Sequence, residues 1–302
     1  MNTNSPLEMI KNISQMLLPT CKDEQLAHQE AWWILEKLTS KNKVSLLLKK
    51  TLELSENQKK KLLSWVKERT IDKKPLQYIL GTVPFCNLEI IVEPPTLIPR
   101  PETEECCSWL ITQIKSVPLE ESPHSPKILD IGSGSGAISL ALAKALPSIN
   151  VTGIDIDQKA FYLAKKNKEH NKINNVFFSI SDLYKNLEKQ KVKFDIIVSN
   201  PPYLSNKEWQ NLDEQVKRWE DTKALASGES GFEIYEKIIE DAPLFIQKNE
   251  LFEKYKVPQI VLEIGSWQGE EIKKLLIKNH FCSIVIHKDL EGKDRWVSAR
   301  LS

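Results

Sequence analysis

The residues near the middle of the chain read Lys127-Ile128-Leu129-Asp130-Ile131-Gly132-Ser133-Gly134-Ser135-Gly136. The first five are mostly apolar, which is typical of a buried strand, and the next five form a glycine-rich turn. An apolar segment from Ala137 to Leu146 then predicts a helix. A strand, a turn and a helix make one βα unit, the element from which parallel sheets with helices on both faces are built.

Further segments with strand-like patterns occur on the C-terminal side of this unit. They are Val151–Ile154, Val176–Ile180, Phe194–Ser199, Gln259–Glu263, Ser283–His287 and Arg295–Leu301. Because helical segments such as 158–171 separate most of them, we predict a doubly wound, mostly parallel α/β sheet. Residues 288–294 are too few for a crossover helix, so the last two strands should form an antiparallel hairpin at one edge.

The N-terminal part of the chain has a different pattern. From Pro6 to about Ile71 apolar residues recur at intervals of three and four, and glycine is absent, which predicts a small helical domain. We expect helices at 29–38, 44–52 and 56–69, the last capped by Ser55. Residues 75–81 and 85–92 are typical of two short β runs. The predicted organisation is a helical domain at 1–73, a β-hairpin linker at 74–93 and an α/β domain at 94–302.

Composition and charge limit the classes of partner. The chain has 302 residues, of which 41% are hydrophobic and 27% charged, and 42 Lys and Arg against 41 Asp and Glu give a net charge of +1. This charge provides no overall field that would attract nucleic acid. The five cysteines show neither CxxC spacing nor a disulfide framework, so we expect no metal and a reducing compartment. With no signal peptide and no membrane span in the sequence, we expect a cytoplasmic protein.

Polar groups follow several of the predicted strands. They are the glycine-rich turn, Asp155, Asp182 and Asn200. In an open α/β sheet, ligands bind outside the carboxyl ends of the strands, where glycine admits close approach and a carboxylate can bind ribose hydroxyls. We therefore expect a cofactor that contains a nucleoside. The turn alone does not identify it, because Gly132, Gly134 and Ala137 also satisfy the loose dinucleotide-binding pattern.

The residues Asn200-Pro201-Pro202-Tyr203 follow the fourth of these strands. Two consecutive prolines hold the backbone extended and leave carbonyl groups without a partner in the sheet. The Asn200 side-chain oxygen and the Pro201 carbonyl could accept both hydrogens of a planar NH2 group that rests on Tyr203. This favours a methyl donor opposite an amine over a hydride-transfer cofactor. An ordinary Asn-Pro turn that caps the strand is the alternative for these four residues taken alone.

Together with Ile98-Pro99-Arg100-Pro101-Glu102-Thr103-Glu104, these motifs resemble those of the release factor glutamine methyltransferases of the HemK/PrmC type. Asn-Pro-Pro-Tyr by itself is shared with enzymes that methylate the amino group of adenine, but its combination with the Ile-Pro-Arg-Pro-Glu-Thr-Glu stretch is specific. The similarity extends over nearly the whole chain. It includes Gln77-Tyr78-Ile79 with Gly81, Glu263-Ile264-Gly265 with Gln268, and Lys288-Asp289-Leu290 with Gly292, Asp294 and Arg295.

The resemblance implies a seven-stranded, Rossmann-like methyltransferase sheet and S-adenosylmethionine as cofactor. It implies methyl transfer to the side-chain nitrogen (N5) of the glutamine in the Gly-Gly-Gln loop of class 1 peptide-chain release factors, without direct contact to nucleic acid or membrane. By position, the cofactor-binding residues are Gly132, Ser133, Gly134, Ser135, Gly136, Asp155, Asp182, Leu183 and Asn200. The residues that bind the glutamine amide are Asn200, Pro201, Pro202 and Tyr203, of which Asn200, Pro201 and Tyr203 are the predicted catalytic residues. Some family members have an aromatic residue where this chain has Leu183, so contact with adenine would be aliphatic here.

Four alternatives stay open on the sequence. Arg100, which two prolines flank, could bind an acidic ligand or form a structural ion pair. The helical domain could dock the release factor or only stabilise the protein. An adenine amino-methyltransferase would need a flipped base and a basic track for phosphates. A scaffold that binds the cofactor without catalysis is the non-enzymatic alternative.

Overall fold

The computed structural model describes residues 5–121, 125–188 and 191–302, which form two compact units. One unit contains the residues up to Thr82 together with Glu214–Trp219. The other contains Val83–Asp213 and Glu220–Ser302. No helix in the described ranges is both long enough and apolar enough to cross a membrane.

The helices and strands of the described residues have the following bounds. The helices are α1 Pro6–Cys21, α2 Glu24–Thr39, α3 Lys43–Leu47, α4 Glu56–Thr70, α5 Leu76–Leu80, α6 Pro101–Lys115, α7 Ala137–Ala145, α8 Gln158–Asn171, α9 Lys185–Glu188, α10 Asn206–Gln210, α11 Glu214–Trp219, α12 Thr222–Leu225, α13 Glu233–Phe245, α14 Glu250–Lys254 and α15 Gly269–Lys278, with a 3-10 helix at Leu119–Glu121. The strands are β1 Thr82–Phe85, β2 Leu88–Ile91, β3 Lys127–Ile131, β4 Asn150–Asp155, β5 Val176–Ile180, β6 Ile196–Ser199, β7 Leu204–Ser205, β8 Ala226–Gly228, β9 Ile260–Glu263, β10 Phe281–Lys288 and β11 Asp294–Leu301.

The smaller unit consists of helices that begin at polar caps and share one apolar core. Ser55 forms a capping box with Gln58 at the start of α4, which confirms the predicted cap. The helix predicted at 44–52 is present but shorter, because α3 spans only Lys43–Leu47. Leu52 and Leu54 are both buried in the core of this unit, and two residues that are two positions apart face the same side only in extended chain.

A segment distant in sequence completes this smaller unit. The Arg69 Nη1 donates to Gln215 Oε1 at 2.6 Å, and the Trp219 Nε1 donates to the Asp72 carbonyl at 3.2 Å. Both partners belong to α11, which interrupts the sequence of the larger unit. No pattern in the sequence predicts that α11 packs with the N-terminal helices.

The predicted hairpin is present, but its first strand is not the predicted one. Residues 76–80 form the short helix α5, which ends at Gly81 in the left-handed conformation (φ +80°), so the β run predicted at 75–81 is wrong. The two strands of the hairpin are β1 and β2. Cys86 and Asn87 between them have φ of 46° and 61°, the positive values that a tight two-residue hairpin turn of type I′ requires.

The larger unit contains the predicted seven-stranded sheet, with the strand order β10-β11-β9-β6-β3-β4-β5. The strands β5, β4, β3, β6 and β9 run parallel, whereas β11 pairs antiparallel with both β9 and β10. The mostly parallel sheet and its antiparallel edge hairpin are therefore confirmed. All residues of β6 and β9 are buried, as expected for central strands with helices on both faces.

The strand order reverses between β3 and β6, and this position determines where the site lies. In the register of these strands Ile131 is the partner of Ser199, and the Ser199 hydroxyl donates to the Ile131 carbonyl at 2.7 Å. The next residues along each strand, Gly132 and Asn200, therefore leave the sheet side by side. Such a topological switch point is where open α/β sheets bind their ligands.

Candidate active site

A cleft of about 510 Å³ lies at the carboxyl ends of the central strands. Eight of the twelve predicted site residues line it. They are Gly132, Gly134, Asp155, Asp182, Leu183, Asn200, Pro201 and Pro202. The structure thus brings both halves of the prediction, the cofactor residues and the acceptor motif, to one cavity.

The glycine-rich turn presents its backbone to this cleft. A Cβ atom added at Gly132 would meet nothing within 4 Å, and one at Gly134 would only reach Thr96 Cγ2 at 4.0 Å. This open space beside the backbone is what a closely bound ligand would occupy. All three glycines of the turn have positive φ (+73°, +54° and +81°), but at Gly136 there is also no space for a side chain, because a Cβ there would lie 2.9 Å from the Phe178 ring.

Ser133, Ser135 and Gly136 do not line the cleft in the described part of the chain. Both serines are buried. The Ser133 carbonyl accepts from the Gly136 N–H at 2.7 Å, and the Ser135 carbonyl accepts from Asn167 Nδ2 at 2.9 Å. In the structure, these three residues therefore shape the turn and its exit into α7.

Asp155 ends β4 and lies directly across from the turn. Its carboxylate accepts from the Gly134 N–H at 2.8 Å and from the Asp157 N–H at 2.9 Å, one to each oxygen. Burial raises the pKa of this carboxyl, while the two backbone donors lower it. Because each carboxylate oxygen has two lone pairs, both oxygens can still accept from a pair of ribose hydroxyls.

The end of β5 contributes Asp182 and Leu183 to the same cleft. Asp182 forms an ion pair with Lys185 one turn further along the chain. Leu183 has a positive φ of 48°, and its carbonyl accepts from the Ser181 hydroxyl at 2.6 Å. The aliphatic residue Leu183 lines the cleft, and its contact with adenine stays a prediction.

The acceptor motif keeps its two predicted acceptors available. Asn200 Nδ2 donates to Thr103 Oγ1 at 3.2 Å. Within the described residues neither the Asn200 Oδ1 nor the Pro201 carbonyl accepts a hydrogen bond. Two oxygen acceptors at the edge of the cleft therefore remain for a ligand.

Tyr203 is part of the framework behind the cleft and does not line it in the described chain. Its N–H donates to the Leu225 carbonyl at 3.1 Å, and its carbonyl accepts from Gln268 Nε2 at 3.0 Å. Burial raises the pKa of its phenol. The structure does not place the ring on the cleft surface, so a platform for a planar amide at Tyr203 stays a prediction.

Arg100 forms a structural ion pair, one of the two alternatives open on the sequence. Its Nη2 lies 2.7 Å from both carboxylate oxygens of Glu220, whose side chain is buried. Burial raises the pKa of Glu220, and the Arg100 guanidinium lowers it. The next residue, Asp221, donates its N–H to the Pro95 carbonyl at 2.8 Å and lines the cleft.

Comparison with known proteins shows which family carries this arrangement. The family model described as PrmC N-terminal domain matches residues 11–81, and the one described as Methyltransferase small domain matches residues 107–218. The chain is 39% identical to a release factor glutamine methyltransferase of Fusobacterium nucleatum subsp. nucleatum, over 86% of this chain and 69% of that protein. It is 36% identical to a protein of the same description from Flavobacterium psychrophilum, over 91% of this chain and 92% of that one.

The chain belongs to the release factor glutamine methyltransferases. This confirms the family that the motifs predicted. Among solved structures, the hMettl16 catalytic domain in complex with a 3'UTR hairpin has a TM-score of 0.50 at 16% identity, over 83% of this chain and 84% of that chain. At this identity the likeness shows the shared fold alone.

The sequence analysis of this methyltransferase missed several residues of its cleft. They are Pro95, Thr96, Leu97, Ile131, Ile154, Ile156, Asp157, Gln158, Lys159, Ala160, Ser181, Ser199, Asp221, Lys223, Ala224, Ile234 and Ile238. Pro94-Pro95 is a stiff pair visible in the sequence, and Asp221 caps α12 by accepting from the Lys223 N–H at 2.9 Å. The other site residues were predicted because ligands bind at the carboxyl ends of the strands in an open α/β sheet. Neither of these two segments follows a strand of the large sheet, so the same reasoning could not predict them.

The cleft also fits the cofactor of a methyltransferase. S-adenosylmethionine contains a ribose, an adenine and a charged amino acid group. The cleft offers the Asp155 carboxylate for ribose hydroxyls, apolar side chains such as Leu183 and Ile156, and open space beside the backbone at Gly132 and Gly134. The residues present therefore match the chemistry of this group.

Proposed function

We propose that this protein transfers the methyl group of S-adenosylmethionine to the side-chain amide nitrogen (N5) of the glutamine in the Gly-Gly-Gln loop of class 1 peptide-chain release factors. Membership of the family supports the reaction. The observation that carries the assignment of the site is the pair of unused acceptors, Asn200 Oδ1 and the Pro201 carbonyl, at the edge of the cleft. A primary amide has two hydrogens to donate, and the site has two oxygens to receive them.

The chain would hold its cofactor through the glycine turn and the ends of β4 and β5. The Gly132 and Gly134 backbone would approach the amino acid group, and Asp155 would bind the ribose hydroxyls. Asp182 and Leu183 would border the adenine. When bound, S-adenosylmethionine supplies an electrophilic methyl group on a positively charged sulfur.

The acceptor side of the site must compensate for a poor nucleophile. The lone pair of an amide nitrogen is delocalised into its carbonyl, so the nitrogen reacts only when it is held in line with the methyl group. Asn200 Oδ1 and the Pro201 carbonyl would orient the nitrogen by accepting its two hydrogens. Both become better partners as positive charge develops on the nitrogen, which stabilises the transition state more than the ground state. The methylated nitrogen then loses one of its two protons, which become acidic only after the transfer, so no general base is required before it.

Methyl transfer to purified release factor tests this function. Radiolabelled S-adenosylmethionine is incubated with the protein and one of three acceptors: a class 1 release factor, the same factor with the glutamine of Gly-Gly-Gln replaced by alanine, and adenine-containing DNA. We expect label on the unaltered factor only. Label on DNA would replace the proposed substrate by the amino group of adenine, and no label on any acceptor would favour a cofactor-binding scaffold.

For the helical unit we propose a docking role. A single glutamine offers little contact area, so a large protein substrate needs a second surface. The apolar side chains of Val44 and Leu47 on α3, and of Leu48 directly after it, are exposed. The exposed fraction is 66% for Val44 and 82% for Leu48. Their spacing of three and four residues places them on one face. Lysines stand on both sides of this face, at Lys43 and Lys49.

The double variant Leu47→Ser/Leu48→Ser is expected to raise KM for the intact release factor by roughly tenfold or more, because each leucine buried at an interface contributes about 1.5 kcal/mol or more. For a short Gly-Gly-Gln peptide, kcat/KM should stay within about twofold, since the peptide lacks the parts of the release factor that would dock on the helical unit. The matched control is Leu290→Ser, because Leu290 in the larger unit is 91% exposed. Steady-state kinetics with both substrates measures the difference, and an equal effect on peptide and protein would contradict docking.

A further inference from the structure

Behind Asn200 lie two buried polar residues that do not line the cleft in the described chain. Thr103 on α6 accepts from Asn200 Nδ2 at 3.2 Å, and its hydroxyl lies close enough to the carboxyl of Glu263, at the end of β9, to lower the pKa of that carboxyl. Both residues are buried. Glu263 Oε2 is buried and has no hydrogen-bond partner among the described residues. The three side chains form a chain of contacts that ends at the cleft.

The sheet brings these groups together. Ser199 is the partner of Leu262 in the parallel register of β6 and β9, so Asn200 and Glu263 leave neighbouring strands at the same level. The Glu263 carbonyl accepts from the buried Tyr235 hydroxyl at 2.6 Å, which holds the end of β9 in place. Thr103, on the first turn of α6, contacts the Asn200 side chain from the neighbouring helix.

The direction of these hydrogen bonds follows from the chemistry of a hydroxyl. Thr103 has one hydrogen to donate, whereas a carboxylate can only accept. When Thr103 donates to Glu263, its lone pairs are left for a donor, and Asn200 must present Nδ2. The Oδ1 and Nδ2 of the Asn200 amide are similar in shape, but Oδ1 accepts hydrogen bonds and Nδ2 donates them. With Nδ2 bound to Thr103, Oδ1 is directed away from Thr103 and towards the cleft.

Charges around Glu263 act on the same carboxyl. Burial raises its pKa to about 7, and the Thr103 hydroxyl and the guanidinium groups of Arg295 and Arg100 oppose that shift, whereas Glu102 adds to it. With a pKa of about 7, the carboxyl is ionised, and can then only accept, at pH values above neutral.

We propose that Thr103 and Glu263 are positioning residues that hold the Asn200 amide with Oδ1 towards the substrate. This inference rests on the proposed function, in which Oδ1 accepts a hydrogen of the glutamine amide. If Thr103 loses its hydroxyl, the Asn200 amide is free to rotate and to present Nδ2, a donor, where an acceptor is required. The effect of the two residues on catalysis is therefore exerted through Asn200.

The substitution Thr103→Val tests the proposal because valine keeps the shape of threonine but cannot hydrogen bond. We expect kcat for a Gly-Gly-Gln substrate to fall by about 10- to 100-fold, while KM and the Kd for S-adenosylmethionine change by less than about threefold. Thr103→Ser restores the hydroxyl and should recover kcat to within about threefold of the unaltered protein. The matched control on the same helix is Thr112→Val, since Thr112 is an exposed residue that donates to the Ser108 carbonyl.

A double-variant cycle separates positioning from general structural damage. In the Asn200→Ala background, Thr103→Val should lower kcat no further, because the side chain that it orients is gone. A further loss of the same size as in the unaltered background would overturn the proposal. If Thr103→Val does not bind S-adenosylmethionine, Glu263→Leu decides, since leucine cannot accept a hydrogen bond from Thr103: an unchanged kcat in that variant would overturn the proposal.

The outcomes distinguish this inference from the function on which it rests. An unaltered protein that methylates no release factor contradicts the proposed function. An unaltered protein that methylates the release factor, together with a Thr103→Val variant of unchanged kcat, contradicts only the positioning role.

Discussion

Replacing Asn200 by alanine is expected to lower kcat by about 100-fold or more, a loss of about 3 kcal/mol in transition-state stabilisation. Asn200 Oδ1 is one of two acceptors at the cleft that no described residue uses. It is held in place before substrate binds, so it orients the amide nitrogen without reorganisation during the reaction. Its loss removes both the orientation and the partner for the developing positive charge.

Single-turnover methyl transfer to the release factor, with S-adenosylmethionine in excess, measures this effect on the chemical step. The matched control is Asn279→Ala, because Asn279 follows α15 and its Nδ2 donates to the Leu275 carbonyl of the same helix at 2.9 Å. That variant should keep kcat within about twofold. Near-normal turnover of Asn200→Ala would contradict the role of Asn200 in the reaction.

Arg69→Met is expected to destabilise the helical unit by about 3–5 kcal/mol. Arg69 binds the Glu30 carboxylate through two parallel hydrogen bonds of 2.8 Å, and each of the two side chains is only 6% exposed. Methionine fills part of the space of the arginine stem but leaves a buried carboxylate without its counter-charge. The energetic penalty arises from this unpaired charge and not from the attraction of the pair alone.

Urea unfolding followed by fluorescence of tryptophans of this unit measures the change. The control Lys59→Met breaks an ion pair with Glu56 that is exposed on both sides, and it should cost less than about 1 kcal/mol. The double variant Glu30→Met/Arg69→Met removes both charges and should recover most of the lost stability. A double variant as unstable as Arg69→Met would show that packing of the arginine stem, and not the charge, determines the loss.

The sequence by itself determined the sheet and the strand ends that form the cleft. Strands β3 to β6 and the edge hairpin lie almost where apolar runs predict them, because central strands must be apolar to be buried on both faces. Asp155, Asp182 and Asn200 reach one cavity because each follows a parallel strand. The helix predicted at 44–52 ends early, at Leu47, and the β run predicted at 75–81 is a helix, because short apolar segments have no distinct period and packing determines their structure.

Only the tertiary structure decided how the polar residues pair. Arg100 and Glu220 are 120 positions apart, and Thr103 and Asn200 are 97 apart. A hydrogen bond depends on distances of about 3 Å, and the sequence carries no signal for such distances between remote segments. The proposed orientation of the Asn200 amide depends on Thr103 from α6 and on Glu263 from β9. Only the packing of this helix on the sheet brings the three residues together, so the orientation is a property of the folded chain.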